Sequence, residues 1–114
     1  MSDARIWLHT DRDGTRRVVD PEDVYWLEAH RGDTYVRFRG RKRIKDLRPL
    51  ARVAAAFAPH GFARVHNNHA VNLRRVIEVR RRTPRDYELR LEPPVNRVLR
   101  IGRQYLPTLE DFFS

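Results

Sequence analysis

The chain has 114 residues, with 24 Lys plus Arg against 15 Asp plus Glu, a net charge of +9 and a pI near 11.1. Hydrophobic residues make up 40%, enough for one core, and domains typically run roughly 100–200 residues, so a single domain over 1–114 is expected. No cysteine is present, which excludes disulfide scaffolds, thiolate zinc sites and cysteine nucleophiles. No stretch approaches the ~18 apolar residues of a membrane helix, and no apolar signal region opens the chain, so the reading is a cytoplasmic protein.

The charge is uneven. Residues 1–33 carry five basic and eight acidic side chains, and residues 34–114 carry 19 and seven. Only Lys42 and Lys45 are lysines, leaving 22 arginines. Basic charge gathered in one part of a domain of high pI is the footprint of a polyanion binder, nucleic acid being the commonest. The plainer alternative is a solvated basic surface.

In chain order, Arg5 to His9 reads as a short strand. Asp13-Gly14 lies in a hairpin turn, and Arg16 to Val19 returns. Pro21-Glu22-Asp23 breaks the run. Val24 to Ala29 is β-rich and mostly apolar, which fits a buried strand. Arg31-Gly32-Asp33 turns. Thr34 to Arg39 then alternates, with Tyr35, Arg37 and Arg39 on one face and Thr34, Val36 and Phe38 on the other. Gly40 to Arg43 is a basic turn, and Ile44 begins another short strand. Leu47, Leu50, Val53, Ala54 and Phe57 share one helical face, predicting a helix over 47–57 with Asp46 as N-cap and Pro49 in its first turn. Ala58 to Gly61 stops it.

The pattern then returns to β. Phe62 to His66 alternates, Asn67-Asn68 turns, and His69 to Leu73 reads as short and irregular. Val76 to Arg80, Tyr87 to Leu91 and Asn96 to Ile101 are strands, separated by turns at 83–86 and 92–94. Gly102 to Phe113 closes as a short helix interrupted by Pro107. The expectation is a mainly β protein of small packed sheets with one or two short helices.

The residues point away from catalysis. His66 and His69 are three apart, but no third ligand stands near them, and no metal site or cofactor is expected. Asp11 and Asp13 flank a turn. Glu88 and Glu92 are not marked as an acid–base pair. The five glycines are scattered, so there is no phosphate-cradling loop. Ser2 and Ser114, the only serines, lie at the termini. Neither an enzyme nor a small-molecule substrate is expected. Nucleic acid fits better. Arg37, Arg39, Arg41, Lys42, Arg43, Lys45 and Arg48 concentrate charge around one turn, and Arg74, Arg75, Arg80, Arg81, Arg82 and Arg85 form a second group. Such groups neutralise phosphates, and arginine also reads guanine edges. Asn67 and Asn68 suit base or phosphate contacts, with ordinary turn chemistry as the alternative.

Residues 62–79, Phe-Ala-Arg-Val-His-Asn-Asn-His-Ala-Val-Asn-Leu-Arg-Arg-Val-Ile-Glu-Val, resemble the signature of the LytTR family of bacterial DNA-binding domains. The pattern is an aromatic, Arg-x-His, a small polar pair, and Val-Asn before an Ile-containing strand. Val24 to Ala29 resembles the family strand ending in Glu-Ala. The preceding helix also matches, as does Leu99 to Tyr105 with its Arg-x-Tyr ending. The resemblance covers roughly residues 5–113.

This resemblance implies a compact fold of about ten short strands with little helix, whose loops enter successive major grooves of duplex DNA. It places DNA contacts in the loop His30 to Thr34 (Arg31 and Thr34), the turn after His66 (Asn67 and Asn68) and the start of the terminal segment (Arg103, with Gln104 beside it). Arg64 either touches DNA or supports the turn, while His66 and Asn72 hold the signature in shape. Two positions depart from the family pattern. Asn67-Asn68 replaces a basic residue followed by serine, and Gly102 replaces the serine before the terminal Arg.

Many members carry a receiver or membrane domain upstream, for which 114 residues leave no room. The expectation is therefore an output domain, standing alone or excised. The reading is a sequence-specific transcription regulator binding a direct repeat, one domain per half-site and so two copies on DNA. The alternative is a basic protein-interaction module that has kept the fold. An RNA binder is disfavoured, because no aromatic trio sits on one strand face.

Overall fold

The computed structural model describes residues 4–114, so Ser2 lies outside the described residues. Ten strands are present among them: β1 (Ile6–His9), β2 (Arg16–Val19), β3 (Val24–His30), β4 (Asp33–Phe38), β5 (Arg43–Asp46), β6 (Phe62–His66), β7 (His69–Asn72), β8 (Val76–Thr83), β9 (Asp86–Leu91) and β10 (Val98–Ile101). Two helices, α1 (Leu50–Phe57) and α2 (Leu106–Phe113), accompany them. The strands form three antiparallel sheets: β1-β2, β5-β4-β3-β7-β6 and β10-β9-β8.

The five-stranded sheet is the middle layer. One face packs Leu27, Val36, Phe38 and Ile44 against Val53 and Phe57 of α1 and Ile6 and Leu8 of β1. The other packs Trp26, Val65 and Val71 against Leu89, Leu91 and Leu99 of the three-stranded sheet and Leu109 of α2. β3 is covered on both sides, which is why it reads as a continuous apolar run. Its pairing with β4 shifts between Val24 and Trp26. This bulge places the consecutive Tyr25 and Trp26 in the same core. β4 alternates as expected, with Thr34, Val36 and Phe38 buried and the residues between them half-exposed.

Three local expectations are corrected. First, α1 begins at Leu50, not at 47, and Pro49 rather than Asp46 occupies the N-cap position. A proline disfavours helical backbone at the residue before it, so Arg48 cannot join the helix. Leu47 therefore falls outside and is exposed. Asp46 instead ends β5, where its carboxylate accepts from the backbone N–H groups of His9 (3.0 Å) and Arg48 (2.9 Å). Second, residues 69–72 are not irregular. They form β7, hydrogen-bonded between β3 and β6, with Ala70, Val71 and Asn72 buried. Third, Pro107 does not interrupt the last helix. It sits in the first turn of α2, where its missing N–H has no partner to lose.

Candidate nucleic-acid interface

Antiparallel order decides which loops meet. The C-terminal ends of β5, β3 and β6 and the N-terminal ends of β4 and β7 all lie at one end of the middle sheet. That end carries the β3–β4 turn at Arg31-Gly32 and the β6–β7 turn at Asn67-Asn68. The Ala29 N–H donates to Asn68 O at 2.9 Å, which joins the two turns. The segment after β10 arrives at the same place, because the Gly102 N–H donates to Val65 O at 2.7 Å. Three segments separated by up to seventy positions in the sequence thus form one row.

The β6–β7 turn is heavily braced. Arg64 donates to His66 O (3.3 Å) and Asn67 O (2.7 Å) and lies over the Tyr105 ring. The Asn68 N–H donates to His66 Nδ1 at 3.1 Å. Gln104 Nε2 and the Tyr105 hydroxyl both donate to Asn67 Oδ1, at 2.8 and 3.1 Å. Asn72 is buried; it donates to Val24 O at 3.0 Å and accepts from the Arg74 N–H at 3.2 Å. Arg64, His66 and Asn72 therefore all make supporting contacts. Tyr105, which the Arg-x-Tyr ending contains, joins these supporting contacts although it is not among the expected site residues.

Arg31 is exposed with φ 52°, followed by Gly32 at φ 84°. His30 pairs with Asp33, so these two residues alone make the turn. Positive φ at both central positions is the geometry that favours Asn-Gly, and an arginine there is uncommon. Arg103 is exposed, and its guanidinium has no hydrogen-bond or ion-pair partner among the described residues. It lines an open groove with Pro84, Arg85, Tyr87 and Leu106, which brings the tip of the β8–β9 hairpin beside it.

Thr34 is the exception. It is 4% exposed, so direct contact with DNA is not available to it. Its alternation with Val36 and Phe38 turns it inward.

The basic groups are also rearranged. The turn at 40–42 lies at the opposite end of the middle sheet from Asn67. The first basic group, Arg37 to Arg48, runs from one end of the sheet to the other, and many of its cations are compensated internally. Arg37 pairs with Glu28, Lys45 with Asp33 and Arg48 with Asp46. Lys42 and Arg43 sit over the Phe38 and Tyr35 rings. In the second group Arg75 pairs with Glu92, and Arg80 and Arg82 pair with Glu88. Arg39, Arg41, Arg74 and Arg85 remain unpaired among the described residues.

Beneath the row of turns lies His69. Its ring meets Trp26 edge-on at 5.5 Å and His66 at 5.3 Å, and its buried Nδ1 has no hydrogen-bond partner. Burial, with the positive field of His66 and Arg97 adding to it, pushes its pKa down to about 4 against an opposing pull from Glu28. The ring is therefore neutral at physiological pH and acts as part of the packing. Among the described residues no helix is long and apolar enough to cross a membrane.

A layered β domain with arginine and asparagine turns gathered at one end has the form of a DNA-binding module. The profile of the LytTr DNA-binding domain matches residues 14–114. The chain belongs to this family of DNA-binding domains, which act in transcription regulation rather than catalysis. The fold is also similar to the LytTr DNA-binding domain of a methyl-accepting/DNA response regulator from Bacillus cereus. The TM-score is 0.77 over 99% of both chains, at 18% identity. No curated protein matches by sequence.

Proposed function

We propose that the domain reads duplex DNA in a sequence-specific way through the row of turns at one end of its middle sheet. Arg31, Asn67 and Arg103 approach the bases of successive major grooves, with Asn68 and Gln104 beside them. Arg103 carries the strongest contact, because its planar fork matches the two acceptors of a guanine edge. The convergence of these three segments is the observation that carries the reading. One module of this size buries roughly 600–1,000 Å² on DNA, too little for tight specific binding alone. Two copies on a direct repeat supply the rest.

Selection from a random duplex library tests this. The expected result is a motif with a repeated half-site, bound with an affinity that falls steeply as salt rises. A single unrepeated half-site contradicts the direct repeat. Salt-sensitive binding without any motif contradicts specific reading and favours the protein-interaction alternative, to which the internally paired basic groups lend support.

The backbone at Arg31 supplies a second check. Left-handed backbone costs a non-glycine residue roughly 1–2 kcal/mol, and asparagine tolerates it best. Arg31→Asn is therefore expected to raise stability by about 0.5–1 kcal/mol in denaturant unfolding. The same variant is expected to lose affinity for the selected duplex. A gain of stability without loss of affinity would remove Arg31 from the interface.

A further inference from the structure

An asparagine side chain has two hydrogen-bonding ends, an oxygen that accepts and an NH₂ group that donates. At Asn67 the protein occupies the first end itself. Gln104 Nε2 and the Tyr105 hydroxyl donate to the same Oδ1, at 2.8 and 3.1 Å. A carbonyl oxygen has two lone pairs, so both are engaged. The main chain around the residue is held as well, by Arg64 on Asn67 O and by His66 Nδ1 on the Asn68 N–H. Gly102 makes room for this arrangement. A Cβ there would lie 3.2 Å from the Tyr105 ring, closer than a relaxed contact, and would press the ring away.

We infer that Gln104 and Tyr105 are positioning residues that determine specificity, because they leave Asn67 only its Nδ2–H donors with which to read a base. This inference rests on the DNA-reading function proposed above. A free asparagine recognises adenine by accepting from N6 and donating to N7, which needs both of its ends. With Oδ1 saturated, the adenine amino group finds no acceptor. Guanine presents two neighbouring acceptors, O6 and N7, and suits a donor-only side chain. The β6–β7 turn therefore selects guanine and refuses adenine.

The test uses the 114-residue chain and a random duplex library. Asn67→Ala marks the position of the motif that the turn reads. There the unmodified protein is expected to favour guanine over adenine by roughly tenfold or more. The double variant Tyr105→Phe, Gln104→Ala frees Oδ1 while keeping the aromatic ring. Its preference for guanine over adenine at that position is expected to fall to near parity.

Adenine preferred by the unmodified protein, or an unchanged ratio in the double variant, overturns the inference and leaves DNA reading intact. So does an Asn67→Ala variant that loses affinity equally on every sequence, which marks a phosphate contact. A motif that Asn67→Ala leaves unaltered has the same consequence. The absence of any motif for the unmodified protein overturns the DNA-reading proposal itself.

Discussion

Asp46→Ala is expected to destabilise the domain by about 3–5 kcal/mol, a large share of the 5–15 kcal/mol typical of whole domains. Asp46 is 1% exposed. Its carboxylate accepts from the His9 and Arg48 backbone N–H groups and from Arg48 Nε (3.0 Å) and a terminal guanidinium nitrogen (2.8 Å). It thus ties β5 to β1, 37 positions away in sequence, and fixes the approach to α1. Truncation removes four bonds and strands a partly buried guanidinium. Asp46→Asn keeps the shape but turns one acceptor into a donor, so an intermediate loss is expected. Burial raises the Asp46 carboxyl, but the hydrogen bonds from Arg48 and His9 outweigh it and hold the pKa below the usual 3.8. A group depressed in the folded state stabilises fully above its unfolded value. That contribution is lost as pH falls below 3.8 and through the folded value. Urea unfolding of both variants at neutral pH checks the ranking, and equal stability of Asp46→Ala and the unmodified protein contradicts it.

Stability is also expected to fall by on the order of 1–2 kcal/mol between pH 6.5 and pH 4 through His69, whose pKa drops from 6.5 to about 4 in the folded state and whose partly buried ring is screened by solvent. Between these values the unfolded chain binds a proton at this ring and the folded chain does not, so lowering the pH favours unfolding. The difference from a variant lacking the ring is the informative quantity. His69→Gln is expected to lose less stability over this range, by up to the same amount. Denaturant unfolding at pH 7, 5.5 and 4 reads it directly. Parallel pH profiles for the two proteins would show that His69 is already protonated when folded.

Alternation and turn chemistry made much of the strand order legible. β4 shows its two faces because one is buried and one is not, and β3 shows its burial as an unbroken apolar run. Arg31-Gly32 and Asn67-Asn68 read as turns from residue type alone. The errors have a common origin in distant partners. Asp46 looks like a helix cap until His9 is brought beside it. β7 has four residues, too few for a period, and is held in place by the strands on either side. The arginines count as free charge in the sequence, yet many of them face a carboxylate or ring across a strand.

The site divides in the same way. The Asn67 turn and the Arg103 segment are singled out through the resemblance to the family pattern, but the hydrogen bonds joining Asn67 to Gln104 and Tyr105 cross 37 and 38 positions and leave no local trace. Thr34 belongs to the 30–34 segment that the resemblance assigns to DNA, but its alternation with Val36 and Phe38 turns it toward the core.

The most direct measurement is the affinity of the unmodified protein and of Arg103→Ala for two duplexes at one salt concentration, one carrying the selected motif and one a scrambled version. If Arg103 reads a base, the substitution costs about 1–3 kcal/mol on the motif and far less on the scrambled duplex, collapsing the ratio between them. An equal loss on both duplexes, or no loss on either, would contradict base reading at this end of the sheet.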